Sequence, residues 1–153
     1  MQAPDYDAFF ASYVDFYNAA LADKPVIRDL RACYAEYLVS ASGQAVMGGE
    51  NGDDYEKVLE KGFGFYRAIG VVEMWLRGVE AREIFAGHDE ARVSFTAQMR
   101  RKDGSEFPLD FEVVYFLQRR DSGPKIFAFL SEDEMELFRS LGLVDGEGKP
   151  VGA

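Results

Sequence analysis

Apolar residues recur at helical spacing over Asp5–Ala22, where Phe9, Tyr13, Phe16, Tyr17 and Ala20 share one face and Phe10, Val14 and Leu21 widen it. Asp7, Ser12, Asp15 and Asn18 take the other side. A stripe this wide predicts a helix packed on a large partner such as a sheet, with Asp5 as its N-cap. Pro25 suits a first helical turn, because its missing N–H would be unpaired there anyway. Val26, Leu30, Cys33, Tyr34 and Tyr37 then predict a second short helix, running into a strand-like patch at Leu38–Ala41 that Ser42 and Gly43 end. Gly48, Gly49, Gly52 and Asp53 read as a loop. Asp53 and Glu56 form a capping box, and Tyr55, Val58, Leu59, Phe63, Tyr66 and Ile69 keep helical spacing up to Gly70, a left-handed stop. Gly62 and Gly64 within that helix each cost about 1 kcal/mol relative to Ala, so another element is expected to approach Gly62 closely.

From Val71 the period becomes two. Val72, Met74 and Leu76 alternate with Glu73, Trp75 and Arg77, and Gly78 marks a bulge before the strand resumes to Phe85. Gly87, His88 and Asp89 are expected to turn the chain. Ala91, Val93, Phe95, Ala97 and Met99 form the apolar side of a clean strand. Asp103 and Gly104 predict a two-residue hairpin, followed by a strand with Leu109, Phe111, Val113, Tyr115 and Leu117 on one face and Asp110, Glu112, Val114, Phe116 and Gln118 on the other. Asp121, Ser122, Gly123 and Pro124 turn into Lys125–Leu130, and Ser131 with Glu134 suggests a capping box for a last helix bearing Met135, Phe138 and Leu141. One domain over 1–144 is expected, with 145–153 a flexible, polar, Gly-rich tail.

Three helices followed by a four-stranded antiparallel meander make an α+β domain, with N-terminal helices on a curved antiparallel sheet and a short C-terminal helix. The helices must cover the apolar face of the sheet, and a twisted sheet wrapped around them leaves a wedge whose open end suits a small-molecule cavity. Composition agrees: 48% of the 153 residues are apolar and 14% aromatic, with 13 Phe and 8 Tyr to fill a core or line a cavity. The net charge of −10 excludes nucleic acid and anionic membrane surfaces, since phosphate binding depends on basic patches. The basic clusters Arg100–Lys102 and Arg119–Arg120 read as solvated hairpin ends. The single cysteine, Cys33, excludes an intrachain disulfide and reads as a small buried hydrophobe. The absence of a long apolar run or signal segment reads as a cytoplasmic protein.

The run Leu30–Ser40 resembles the second-helix-to-strand passage of the nuclear transport factor 2-like (SnoaL-like, ketosteroid-isomerase-like) superfamily. The Gly-rich loop, the helix ending in Phe65 and Tyr66, and the turn from Asp121 to Ile126 match its order of elements over roughly residues 5–130. The resemblance implies a cone-shaped domain, an isomerase, dehydratase, cyclase or non-catalytic binding role, and homodimerisation through the sheet. Trp75, Thr96, Gln98, Val114 and Phe116 give a mixed outer face compatible with that burial. It also implies a base near Val39, Ser40 and Ala41 and an acid near Phe111 or Val113, where no carboxylate stands.

Candidate chemistry is thin. Asp110 and Glu112 could act as a dyad, but their expected face points away from the apolar stripe. His88 lacks metal-ligating partners, and neither a metal nor a cofactor is expected. Tyr13, Tyr17, Tyr37, Tyr66 and Tyr115 all fall on apolar faces, where converging hydroxyls suit the polar group of a greasy ligand. With Met74, Phe95 and Met99 they make the expected pocket, and Met47 is a further wall. The leading expectation is therefore a domain binding a small apolar or aromatic ligand. An enzyme using Tyr115, Tyr17 or Asp110 for proton transfer and a structural dimerisation domain with a filled wedge are the alternatives.

Overall fold

The computed structural model describes residues 2–151. Helix α1 (Tyr6–Leu21) begins at the Asp5 N-cap, whose carboxylate accepts from the Ala8 amide. Its apolar stripe is buried at Tyr6, Phe10, Tyr13, Val14, Ala20 and Leu21. The second helix is shorter than expected: α2 (Ile27–Arg31) stops before Cys33, and Tyr34 already belongs to strand β1 (Tyr34–Ser42). The spacing of Tyr34 and Tyr37 mimics a helix, but pairing with a distant strand, β6 (Lys125–Ser131), decides the matter. The Gly48–Gly49 segment is not a loop. It lies in strand β2 (Ala45–Glu50), which forms a hairpin with β1 at the sheet edge.

Helix α3 (Asp53–Ile69) is capped by Gly52 rather than by Asp53, and Glu56 instead meets Arg31 at 2.6 Å. No element approaches Gly62: a Cβ there would touch nothing within 4 Å. Gly70 stops the helix at φ +100°. Strands β3 (Val71–Phe85), β4 (His88–Arg100), β5 (Glu106–Gln118) and β6 follow as the expected meander, with a register shift at Gly78. The β4–β5 turn spans Arg101–Ser105, wider than a two-residue hairpin, because the Arg101 amide bonds back to the Ser105 carbonyl.

The sheet has six strands, ordered β2-β1-β6-β5-β4-β3, because β1 adds to the meander in parallel with β6. Helices α1 and α3 cover its inner face. Asn18, expected on the solvent side, blocks the open edge at β3: its side chain donates to the Met74 carbonyl and accepts from the Met74 amide at 2.9 and 2.8 Å. This answers backbone groups that an edge strand leaves unpaired. Helix α4 (Glu134–Ser140) is capped by Asp133, which accepts from the Glu136 amide. Phe138, Leu143 and Val144 anchor it on Ile69 and Met99. Residues 145–151 fold back so that Pro150 pairs with Val144. Among the described residues no helix is long and apolar enough to cross a membrane.

Candidate ligand cavity

The inner wedge holds a cavity of about 250 Å³ between α1, α3, α4 and the sheet. Alternation places the wall. Phe95, Ala97 and Met99 project inward from β4, and Leu109, Phe111, Val113 and Tyr115 from β5. Tyr13 and Tyr17 descend from α1, Tyr66 from α3, and Met74 from β3. Ser40, Ala41 and Ser42 of β1, with Phe129 and Ser131 of β6, form the opposite flank. The wedge is thus open, not filled by its own side chains.

Of the expected pocket residues, Tyr13, Tyr17, Tyr66, Met74, Phe95, Met99 and Tyr115 are brought together. Tyr37 is not: it is 58% exposed, since β1 directs Tyr34 and Leu38 to the core and Tyr37 away from it. Met47, on edge strand β2, is also exposed. Asp110 cannot serve the cavity, because it lies on the outer face, where it accepts from Thr96 Oγ1 at 2.6 Å. Glu112 is beside it, paired with Arg92 at 2.9 Å. Both carboxylates therefore stand where the β5 alternation put them, and neither reaches the inner wall.

The tyrosines form a connected set. Tyr13 and Tyr34 share a hydroxyl–hydroxyl bond of 2.9 Å, and Tyr13 packs edge-on to Tyr115 at 5.9 Å. Tyr17 lies 6.0 Å from Tyr66, ring to ring. Burial pushes the hydroxyls of Tyr13, Tyr17, Tyr34, Tyr66 and Tyr115 above their ordinary pKa, so they stay protonated donors.

The residue that sequence reasoning missed is Glu134. It is not the partner of Ser131 in a capping box: Asp133 takes the cap, and Glu134 turns into the cavity. Tyr66 donates to its Oε2 at 3.3 Å. Burial raises its carboxyl above the usual glutamate value, opposed by the Tyr66 hydrogen bond. The available signal was spacing, since Glu134 precedes Leu137 and Phe138 by three and four positions and shares their face. Ser40, Ser42, Phe129 and Phe138 were likewise unassigned.

A second missed cluster lies at the far end of β4. Asp89, expected in a turn, is 2% exposed and is gripped by Arg119 through two bonds of 2.8 Å and by the Tyr6 hydroxyl at 2.6 Å. Arg119 is thus an inward partner rather than a solvated hairpin end. The hydrogen bonds it donates, joined by that of Tyr6, hold the Asp89 carboxyl below the usual range. Its place between Tyr6, β4 and β5 makes it a structural tie. His88 opens β4 beside Gln118 and Phe127, and among the described residues no acidic, histidine and cysteine group could hold a metal ion.

The chain matches the family model described as NTF2-like protein (DUF6841) over residues 4–134. No curated protein matches its sequence. Among solved structures it resembles Aln2 from a Streptomyces species at 15% identity and TM-score 0.63, covering 92% of this chain and 99% of that one. A putative calcium/calmodulin-dependent protein kinase II association domain from Xanthomonas campestris aligns at 16% identity and TM-score 0.59, over 86% and 87% of the two chains. A ketosteroid isomerase-like protein from Erwinia carotovora atroseptica aligns at 16% identity and TM-score 0.58, over 82% and 91%. At these identities the likeness shows the fold alone.

Proposed function

We propose, for a chain that belongs to the NTF2-like family DUF6841, that it binds a small, largely apolar, aromatic molecule in the inner cavity. The observation that carries this reading is the cavity itself: about 250 Å³, walled by aromatic and apolar side chains, with hydroxyls and one carboxyl among its lining. An apolar cavity of roughly 150 Å³ already accommodates benzene, so this volume suits a ligand of one or two rings. The rings supply area and the tyrosines orient a polar group. Proton transfer is a second reading, favoured by Glu134, whose raised carboxyl adjoins Tyr66 inside the cavity. A homodimer through the outer sheet face belongs to the same proposal, supported by the exposure of Trp75 there.

A thermal-shift screen of one- and two-ring aromatics tests the binding reading. A ligand at a hundred times its dissociation constant stabilises the fold by about 2.7 kcal/mol, or roughly 5–10 °C at this length. Ala97→Met, which fills part of the cavity, should abolish the shift for a molecule that binds there. A screen that is flat across the whole panel overturns the reading.

A further inference from the structure

Glu134 is the one charged residue in the cavity wall among the described residues, and no Lys, Arg or His lines the cavity with it. Its hydrogen-bond partner there is a neutral phenol, Tyr66, and among the described residues no cation lies within ion-pairing distance of it. The titratable groups around it are likewise phenols: Tyr13 and Tyr17 from α1, Tyr66 from α3 and Tyr115 from β5. On its own helix, Glu136 points instead to Arg139 at 3.7 Å, and Asp133 caps the helix. The acid thus occupies an aromatic chamber without a counter-ion.

Resting on the reading of this cavity as a ligand site, we infer that its ligand is a small arylalkylamine, a ring carrying an aliphatic amine, bound as the ammonium ion with its charge paired to Glu134. Three observations converge on that class. A half-buried carboxylate lacking a cation gains more from an ammonium than from any neutral group, because the pair removes an uncompensated charge. The rings of Tyr17, Tyr66 and Phe129 share the chamber, and aromatic faces attract a desolvated cation. The chain carries a net charge of −10, whose field concentrates cations and repels anions. A carboxylate or phosphate ligand would meet Glu134 with no basic residue in the wall to hold it.

The test compares three probes of matched shape, 2-phenylethylamine, 2-phenylethanol and phenylacetate, by titration calorimetry on the full chain. The amine is expected to bind at least about tenfold more tightly than the alcohol, which corresponds to about 1.4 kcal/mol, and phenylacetate to bind weakest. Glu134→Gln should bring the amine down to the level of the alcohol, while Asp110→Asn on the outer face leaves the amine affinity as it was. Wild-type protein supplies a readout that needs no variant. Near pH 5, amine binding should release protons as Glu134 ionises, seen as a dependence of the binding heat on the buffer's ionisation enthalpy. An alcohol that binds as well as the amine, or an amine affinity that Glu134→Gln leaves unchanged, overturns the amine inference and leaves the cavity reading standing. Failure of all three probes, together with a flat aromatic screen, overturns both.

Discussion

The Tyr66 hydroxyl donates to Glu134 Oε2 across 3.3 Å, joining α3 to α4 in the wall of the cavity. The bond gives α4 its polar hold, beside the apolar anchor of Phe138. It also stabilises the ionised form of an acid that burial pushes toward neutrality. Tyr66→Phe keeps the ring and removes the donor. It should lower stability by about 0.5–1.5 kcal/mol and raise the Glu134 pKa further. Denaturant melts and a carbon-13 titration of the glutamate carboxyls measure the two effects, and an unmoved Glu134 titration would show that the bond does not form in solution.

Tyr115 and Asp110 separate the inner face of β5 from the outer. Tyr115 lines the cavity, whereas the Asp110 side chain is 61% exposed and engaged with Thr96. For any probe that the thermal screen identifies, Tyr115→Phe should weaken binding by a few-fold, the net worth of one hydrogen bond. Asp110→Asn should change it less than about twofold, as expected of an exposed site remote from the ligand. A larger loss from Asp110→Asn would count against the cavity as the binding site.

Local rules made some elements legible. The inward set from Ala91 to Met99 and from Leu109 to Leu117 follows from period two alone, and that period also puts Asp110 and Glu112 outside. Gly70 as a helix stop and Gly78 as a bulge are equally local. Strand β2 was not legible: it is exposed along most of its length and carries Gly48 and Gly49, so no alternation marks it. Strand β1 was half-hidden because its parallel partner β6 lies near the other end of the chain. The pocket tyrosines emerged from their helical faces. Glu134 did not, because Ser131 and Glu134 satisfy a capping pattern that Asp133, two residues nearer the helix than Ser131, takes over in the fold.

Gly70 and Gly62 should respond oppositely to alanine. At Gly70 the backbone is left-handed at φ +100°, and a Cβ would lie 2.3 Å from the Arg100 carbonyl oxygen. Gly70→Ala should therefore destabilise by more than about 1 kcal/mol. Gly62 lies in a helix interior facing open space, so Gly62→Ala should stabilise by up to about 1 kcal/mol. Denaturant midpoints of the two variants check both signs.

Asp89 should be among the most sensitive polar positions. Its carboxylate answers both the Arg119 guanidinium and the Tyr6 hydroxyl in a buried setting. Asp89→Asn leaves Arg119 without that charge and should cost about 3 kcal/mol or more. Tyr6→Phe removes a single hydroxyl and should cost about 1–2 kcal/mol. A double-mutant cycle between these two positions should show coupling, and additive losses would mean that Tyr6 and Asp89 act separately.

The pH dependence of stability should carry Glu134's signature. An acid whose folded pKa is raised keeps a proton that the unfolded chain has already released. Between the ordinary glutamate value and the raised one the folded state binds more protons, so stability falls as pH rises. The contribution is complete below the ordinary value of 4.5 and is lost as pH passes the raised value. Asp89, lowered by Arg119, and Glu36, held at about 2 by Arg120, act in the opposite sense, losing stability as pH drops below the usual carboxylate range. The two windows lie on either side of the ordinary glutamate value, so Glu134 can be isolated by subtraction. The stability of wild type minus that of Glu134→Gln, from denaturant melts between pH 4.5 and about 7, should decline with increasing pH. A flat difference would mean that Glu134 titrates as in the unfolded chain, and the picture of a carboxyl held in an apolar, unpaired setting would fail with it.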